Sequence, residues 1–288
     1  MDKACNIWFG GEKMTPTVLF RSLEVPLYPR VINHGLYPFV TTADLIDKLD
    51  AKDREWAKVD VLVNDCFYLQ FLSNLCKREI GLIVEFLNEF KRDDDFKKSF
   101  SLKLGELDSS GIKHADDLRF HSLTIYCLVR ALKPNLMIET GVAQGKSSSM
   151  ALLAMHHNRC GKLVSIDLPN PEGKVLADGA QTSTGIKDVG WLVPDYLRAR
   201  WDLRLGDARE LLPKVLSENP QVPDIFFHDS LHTYEHTKFE LQTVLSKMSS
   251  GLIICDNIEM GSGKAFHEVL EERKKVAHAY RDFAGFLV

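Results

Sequence analysis

The chain has 288 residues, 45% of them hydrophobic, with 36 Lys and Arg against 40 Asp and Glu and a formal net charge of -4. That is enough apolar material for one large domain, or for a core domain with an appendage. No Lys/Arg block offers the phosphate-neutralising surface that nucleic acids require, so no nucleic acid is expected among the partners.

The opening stretch MDKACNIWFGGEK lacks a long apolar segment behind a basic one, and no run reaches the roughly 18 apolar residues that span a bilayer. A soluble, cytoplasmic protein is expected. Cys5, Cys66, Cys76, Cys127, Cys160 and Cys255 are scattered without C-x-x-C spacing, which argues against a disulfide framework or a cysteine zinc site.

In chain order, residues 1–114 read as an N-terminal, mainly helical extension, turn-rich to Pro38 and helical from Thr42 to Lys98. The run VDVLVNDCFYLQFLSNLCKREIGLIVEFLNEF is apolar enough to pack on something. A cap over the remaining domain and a homodimer surface are the two expected uses. Residues 115–288 read as the second unit. Ala115 to Leu132 is a predicted helix ended by Lys133-Pro134, because the residue before a proline avoids the helical region.

From Leu136 onward, the short apolar runs LMIET, KLVSID, DLRLGD, DIFFHD and GLIICDN alternate with helical patterns such as SSSMALLAMHHN and ARELLPKVLSEN. That order predicts repeated βαβ units, hence an α/β, doubly wound, mostly parallel sheet with strands buried on both faces. The Gly-, Pro- and Ser-rich stretch between Leu168 and Trp191 is long for a connection and predicts a lid that includes Trp191. The tail AHAYRDFAGFLV predicts a closing antiparallel hairpin.

In such sheets ligands gather beyond the carboxyl ends of the strands, and every strand end here offers a carboxylate: Glu139, Asp167, Asp207, Asp229 and Asp256. The first loop, GVAQGKS, is one residue short of a phosphate loop and lacks the central glycine of a dinucleotide fingerprint. A Gly turn with acids and no basic cradle favours a positively charged ligand, and the sulfonium and ammonium groups of S-adenosylmethionine fit that demand.

HDSLHTYEH adds His228, His232 and His236. His232-x-x-Glu235-His236 spells a zinc-peptidase spacing, and a zinc-dependent hydrolase using those three residues is one alternative; a non-catalytic cofactor-binding scaffold is another. Against zinc stands the position of the pattern directly after a buried strand end, beside a separate Asp256-Asn257 pair. Glu240 reads as a solvated or packed helix residue. His228 should face away from Asp229, since neighbouring strand positions point to opposite faces.

The pattern E-x-G-x-x-x-G-x-S at Glu139 to Ser147 resembles catechol-type O-methyltransferases. HDSLHTYEH and GWLVPDYLRARWDLRLGDA resemble small-molecule methyltransferases grouped as methyltransferase domain 24, so the chain from about Ala115 is similar to class I S-adenosylmethionine-dependent methyltransferases, a Rossmann-like fold. The resemblance implies that Glu139, Gly141 and Gly145 line the methionine and ribose end of the donor. It implies that Asp167 holds the ribose diol, that Asp207 and Ala208 flank the adenine, and that Ser147 lies near the methionine carboxylate at a helix start.

Asp229, Asp256 and Asn257 offer three hard oxygen donors suited to Mg²⁺ or a similar divalent cation, and in the catechol-type enzymes the same set is the metal site. His232 stands where that family places a basic residue near the acceptor hydroxyl, and its reference pKa of ~6.5 suits a proton acceptor. The implied activity is metal-assisted O-methylation of a small-molecule hydroxyl on a phenol, a sugar or a product of secondary metabolism.

Overall fold

The computed structural model describes residues 7–9, 12–14, 67–105, 120–169 and 188–288. The expected turns to Pro38, the start of the expected helix at Thr42 and most of the Leu168 to Trp191 stretch lie outside them. A short hairpin pairs β1 (Ile7–Phe9) antiparallel with β2 (Glu12–Met14). Helices α1 (residues 67–76), α2 (Ile80–Arg92) and α3 (Asp94–Gly105) precede α4 (Phe120–Leu132). Asp93 caps α3, its Oδ1 accepting from the Phe96 N–H at 2.8 Å.

The α4 helix stops where the sequence predicts, with Lys133 turned to φ 49° before Pro134. Five strands then alternate with helices: β3 (Leu136–Thr140), α5 (Lys146–Asn158), β4 (Lys162–Asp167), β5 (Trp201–Leu205), α6 (Ala208–Glu218), β6 (Ile225–His228), α7 (Tyr234–Leu245), β7 (Leu252–Cys255) and α8 (Gly261–Arg273). The hairpin β8 (His278–Tyr280) and β9 (Phe283–Leu287) ends the chain. The sheet order is β5-β4-β3-β6-β7-β9-β8, parallel from β5 to β7, with β9 running antiparallel between β7 and β8.

The central strands divide their residues between two cores. Ile225 and Phe227 join one buried cluster with α1 to α5, whereas Phe226 faces the other with α6, α7 and α8. Covering both faces satisfies a parallel sheet. The edge strand β5 departs from the expected burial: its residues are half-buried and Leu205 is exposed. Asp202 there accepts from Arg204 Nε at 2.6 Å and Lys162 Nζ at 3.0 Å, and charges of this kind protect an edge from pairing with other chains.

The N-terminal helices belong to the first of these cores. Phe71, Leu72, Leu75, Ile83, Phe86 and Phe90 are buried in the same cluster as α4 and α5, and Phe71 packs on Phe283 of β9 with ring centroids 6.5 Å apart. Arg130 of α4 donates to Glu89 of α2 at 2.8 and 3.0 Å, and His157 at the end of α5 reaches Glu89 and Asp93 at 3.0 and 2.9 Å. Truncating a fully buried aromatic costs about 3–5 kcal/mol. Phe71→Ala is therefore expected to lower stability by about that amount within one cooperative transition, read by circular dichroism on heating; a separate early transition would contradict a shared core.

Candidate active site

The order of strands reverses at β3, which has β4 on one side and β6 on the other, the position at which open α/β sheets bind ligands. There the turn after β3 and the loop after β6 meet. The Asp229 N–H donates to Thr140 O at 2.9 Å. Gly141 has φ 85°, and a Cβ on it would fall 1.8 Å from the Asp229 carbonyl oxygen. Gly145, at φ 91°, starts α5 and is pressed by Gly190 and Val193, each 2.9 Å from where its Cβ would stand.

Asp167 at the end of β4 folds back under this turn. Its Oδ2 accepts from the N–H groups of Val142 and Ala143 at 2.9 and 2.7 Å, and its Oδ1 from Leu168 at 2.7 Å. Consecutive N–H groups of this kind would otherwise make an anion nest, and Ala143 takes φ 47° to complete it. The protein's own carboxylate fills the nest, so the turn offers no phosphate cradle. Burial lifts the Asp167 pKa above the ordinary value in spite of these donors. Its oxygens keep lone pairs to accept from hydroxyl groups.

Glu139 lies deeper than a strand-end residue, fully buried in β3 and paired with Ser165 of β4. Its Oε2 accepts from Ser148 and Ser165 at 2.6 and 2.7 Å, and Ser165 Oγ in turn accepts from Trp201 Nε1 at 2.9 Å. Oε1 is buried without a hydrogen bond of normal geometry, although the Ser147 hydroxyl lies near enough to lower the pKa. Burial outweighs the serines and pushes the value up to about 7.

Asp207 is exposed and caps α6, accepting from the Arg209 N–H at 2.8 Å, while Ala208 is buried beneath it. Trp191, expected in a lid, is instead 7% exposed and belongs to the main core. The segment around it is pinned to the Gly turn through Gly190 N–H to Ala143 O at 2.8 Å and Leu192 N–H to Gln144 O at 2.9 Å. Its apolar side chain gains more from the core than from covering a polar rim.

On the other side of the switch point, ligating atoms of Asp229, His232 and Asp256 lie within 4.8 Å of one another. Asp256 is 3% exposed, and its Oδ1 has no hydrogen-bond partner. Burial and the neighbouring Asp229 carboxylate raise its pKa well above the ordinary range. An orphaned buried carboxylate oxygen beside a second carboxylate fits a cation, so these residues suit the implied divalent ion. Asn257 follows at φ 51°, its Nδ2 donating to Glu259 at 3.0 Å.

His232 sits 3.7 Å from Asp229 Oδ1 through Nε2 and lies edge-on to His228 at 5.7 Å between ring centroids. His228 faces away from Asp229 as expected, toward α7. The zinc-peptidase trio does not converge: Glu235 is exposed, and His236 is buried with Nε2 2.8 Å from Glu240 Oε1. Among the described residues, no cluster of side chains able to ligate a cation includes Glu235 or His236. Glu240 is not solvated but fully buried.

His121 of α4 and Asp282 of the β8–β9 turn were not singled out by the sequence reading. His121 Nδ1 is 3.4 Å from Asp256 Oδ2, and Nε2 is 3.2 Å from Asp282 Oδ1. Burial opposes its charge, but the Asp282 hydrogen bond and the charges of Asp256, Asp282 and Asp229 prevail and raise its pKa to about 9. Asp282 also accepts the Ile258 N–H through its backbone carbonyl at 2.9 Å. No local pattern marks either residue; only the insertion of β9 beside β7 brings the turn to the site.

Residues 138–258 match the family model described as a methyltransferase domain, a stretch that includes every expected donor and cation residue. This stretch, less than half of the chain, is similar to a methyltransferase domain. No curated protein matches the chain in sequence. Among solved structures the chain is similar to CalS11, a calicheamicin methyltransferase, at 19% identity over 76% of this chain and 90% of that one, TM-score 0.44. It is similar to an O-methyltransferase from Bacillus cereus in complex with SAH, at 13% identity over 68% and 92% of the two chains, TM-score 0.46. It is also similar to the O-methyltransferase TomG from Streptomyces achromogenes, involved in tomaymycin synthesis, at 18% identity over 69% and 91%, TM-score 0.45.

The raised Glu139 pKa has a stability consequence. A carboxyl whose folded-state value lies above its ordinary one favours folding most below pH ~4.5, and that contribution is lost as pH rises through about 7. Glu139→Gln removes the ionisation and keeps the shape. Its stability relative to the unaltered chain is expected to rise by about 2 kcal/mol between pH 5 and pH 8, measured by urea unfolding at both values; a gap independent of pH would show that Glu139 titrates normally.

Proposed function

We propose that the protein is an S-adenosylmethionine-dependent O-methyltransferase acting on a hydroxyl of a small molecule such as a phenol, a sugar or a natural product, assisted by Mg²⁺ or a similar divalent cation. The observation that carries this reading is the double use of carboxylates at the switch point. Asp167 closes the anion nest of the first turn against phosphate, and Asp229 and Asp256 crowd together with a buried oxygen left over. A site of that character selects a cationic donor and a hard ion. The methyltransferase-domain match supports the same reading.

In this reading Gly141, Gly145 and Ser147 bind the amino-acid end of the donor, with Glu139 supporting them from beneath, Asp167 its ribose hydroxyls, and Asp207 with Ala208 its adenine. Gly141 and Gly145 act by leaving room, since both stand where a Cβ would collide with a neighbouring loop. A divalent cation held by Asp229, Asp256 and Asn257 would polarise the acceptor oxygen and lower its pKa. His232 is placed to take the hydroxyl proton at Nε2, and the bound donor would supply the methyl group, with methylated acceptor and S-adenosylhomocysteine as the products. Alignment of the two reactants supplies most of the acceleration, because the methyl carbon itself needs no acid or base.

Residues 1–114 form an N-terminal extension and residues 115–288 the donor-binding unit in this reading. Exposed Ile80, Val84 and Leu102 on the N-terminal helices support a role for that extension in covering the site or pairing two copies. The free thiols of Cys76, Cys127, Cys160 and Cys255 support a reducing, cytoplasmic setting. No helix among the described residues is long and apolar enough to cross a membrane.

A thermal-shift titration with S-adenosylhomocysteine tests the reading directly: at ~100 times the dissociation constant the product should add ~2.7 kcal/mol to stability. With an accepted hydroxyl substrate, His232→Ala should slow methyl transfer by ~10² to 10⁴ while leaving the affinity for S-adenosylhomocysteine within about twofold. No stabilisation by S-adenosylhomocysteine at millimolar concentration would rule the function out.

A further inference from the structure

Beneath the point where the two loops meet lies a carboxylate with no assigned role. Glu240 projects from the middle of α7 and is completely buried. Its Oε2 accepts from Thr140 Oγ1 at 2.6 Å and lies 2.7 Å from His228 Nδ1. Its Oε1 accepts from Ser230 Oγ at 3.0 Å and lies 2.8 Å from His236 Nε2. Thr237 Oγ1 holds the far nitrogen of His228 at 2.9 Å, fixing that ring from the other side.

The identities of these partners matter more than their number. Thr140 is the last residue of β3 and directly precedes Gly141. Ser230 directly follows Asp229, and His228 directly precedes it. One carboxylate thus ties the end of the donor turn to the end of the cation-binding loop, from the face of the sheet that α7 covers. Hydrogen bonds to an ionised acceptor are shorter and stronger than neutral ones, and in a dry interior a network of this kind tolerates little displacement.

We propose that Glu240 is a positioning residue that sets the donor turn and Asp229 through two separable arms, Thr140 for the donor side and Ser230 for the cation side. The inference rests on the functional reading above and extends it to a residue that touches neither ligand. A purely structural role would weaken the whole fold and both ligands together. Two arms predict a split.

The test is isothermal titration of the full chain with S-adenosylhomocysteine and, separately, with Mn²⁺, which needs no turnover. Thr140→Val removes one hydroxyl without changing shape and is expected to weaken S-adenosylhomocysteine about fivefold or more while leaving Mn²⁺ within about twofold. Ser230→Ala is expected to do the reverse, and Glu240→Gln to weaken both. Circular dichroism establishes which variants are folded, and the two hydroxyl variants decide the matter if Glu240→Gln does not fold. Constants that move together in both single variants, or do not move, overturn the proposal. So does an unaltered chain that binds S-adenosylhomocysteine but no Mn²⁺. An unaltered chain that binds no S-adenosylhomocysteine overturns the functional reading itself, which is a different result.

Discussion

At the centre of the sheet two loops touch backbone to backbone, and the geometry of the site follows from that contact. The Thr140 carbonyl accepts the Asp229 N–H, and the Asp229 carbonyl occupies the space where any side chain on residue 141 would begin. Glycine is the residue that both takes the left-handed conformation there and leaves the space open. The donor turn and the acidic loop therefore share one fixed backbone contact, while Glu240 restrains each of them from below through its own hydrogen bond, Thr140 on the one side and Ser230 on the other.

The carboxylates around this contact differ in how they are satisfied, and the difference separates their chemistry. Asp167 is spent largely on backbone N–H groups, which keep it in place and close the turn to phosphate. Glu240 has hydroxyl and imidazole partners on both oxygens, and those imidazoles hold its pKa below the ordinary carboxylate range even though burial opposes them. Asp229 and Asp256 stand close together with one buried Asp256 oxygen left without a donor, and like charges at close range favour a bound cation. His121, held by Asp282, partly offsets that charge from the α4 side.

The helices that precede the sheet contribute to this arrangement through packing. His121 stands at the start of α4, whose following residues Ile125 to Val129 are buried in the core shared with α1, α2 and α5. Tyr68 of α1 meets Thr124 of α4 at 3.1 Å and packs its ring 5.5 Å from Tyr280 of β8. The N-terminal helices thereby brace both the helix and the hairpin that bring His121 and Asp282 to Asp256.

The sequence by itself determined the local elements: LMIET, KLVSID, DIFFHD and GLIICDN are strands because uninterrupted apolar runs suit a sheet covered on both faces, and α4 ends at Lys133 because Pro134 follows. It also determined that acids stand at the strand ends, and sheet order then gathers them on one rim. What most side chains do there was decided by tertiary structure: Trp191 is spent on the core, and Thr140 meets Glu240 across the fold. Asp207 on its helix cap and His236 on Glu240 one turn along α7 are local choices. His121 and Asp282 are 161 residues apart and meet at Asp256 because β9 inserts between β7 and β8. Periodicity reports which face of an element is buried; it carries no information about which element will lie against that face.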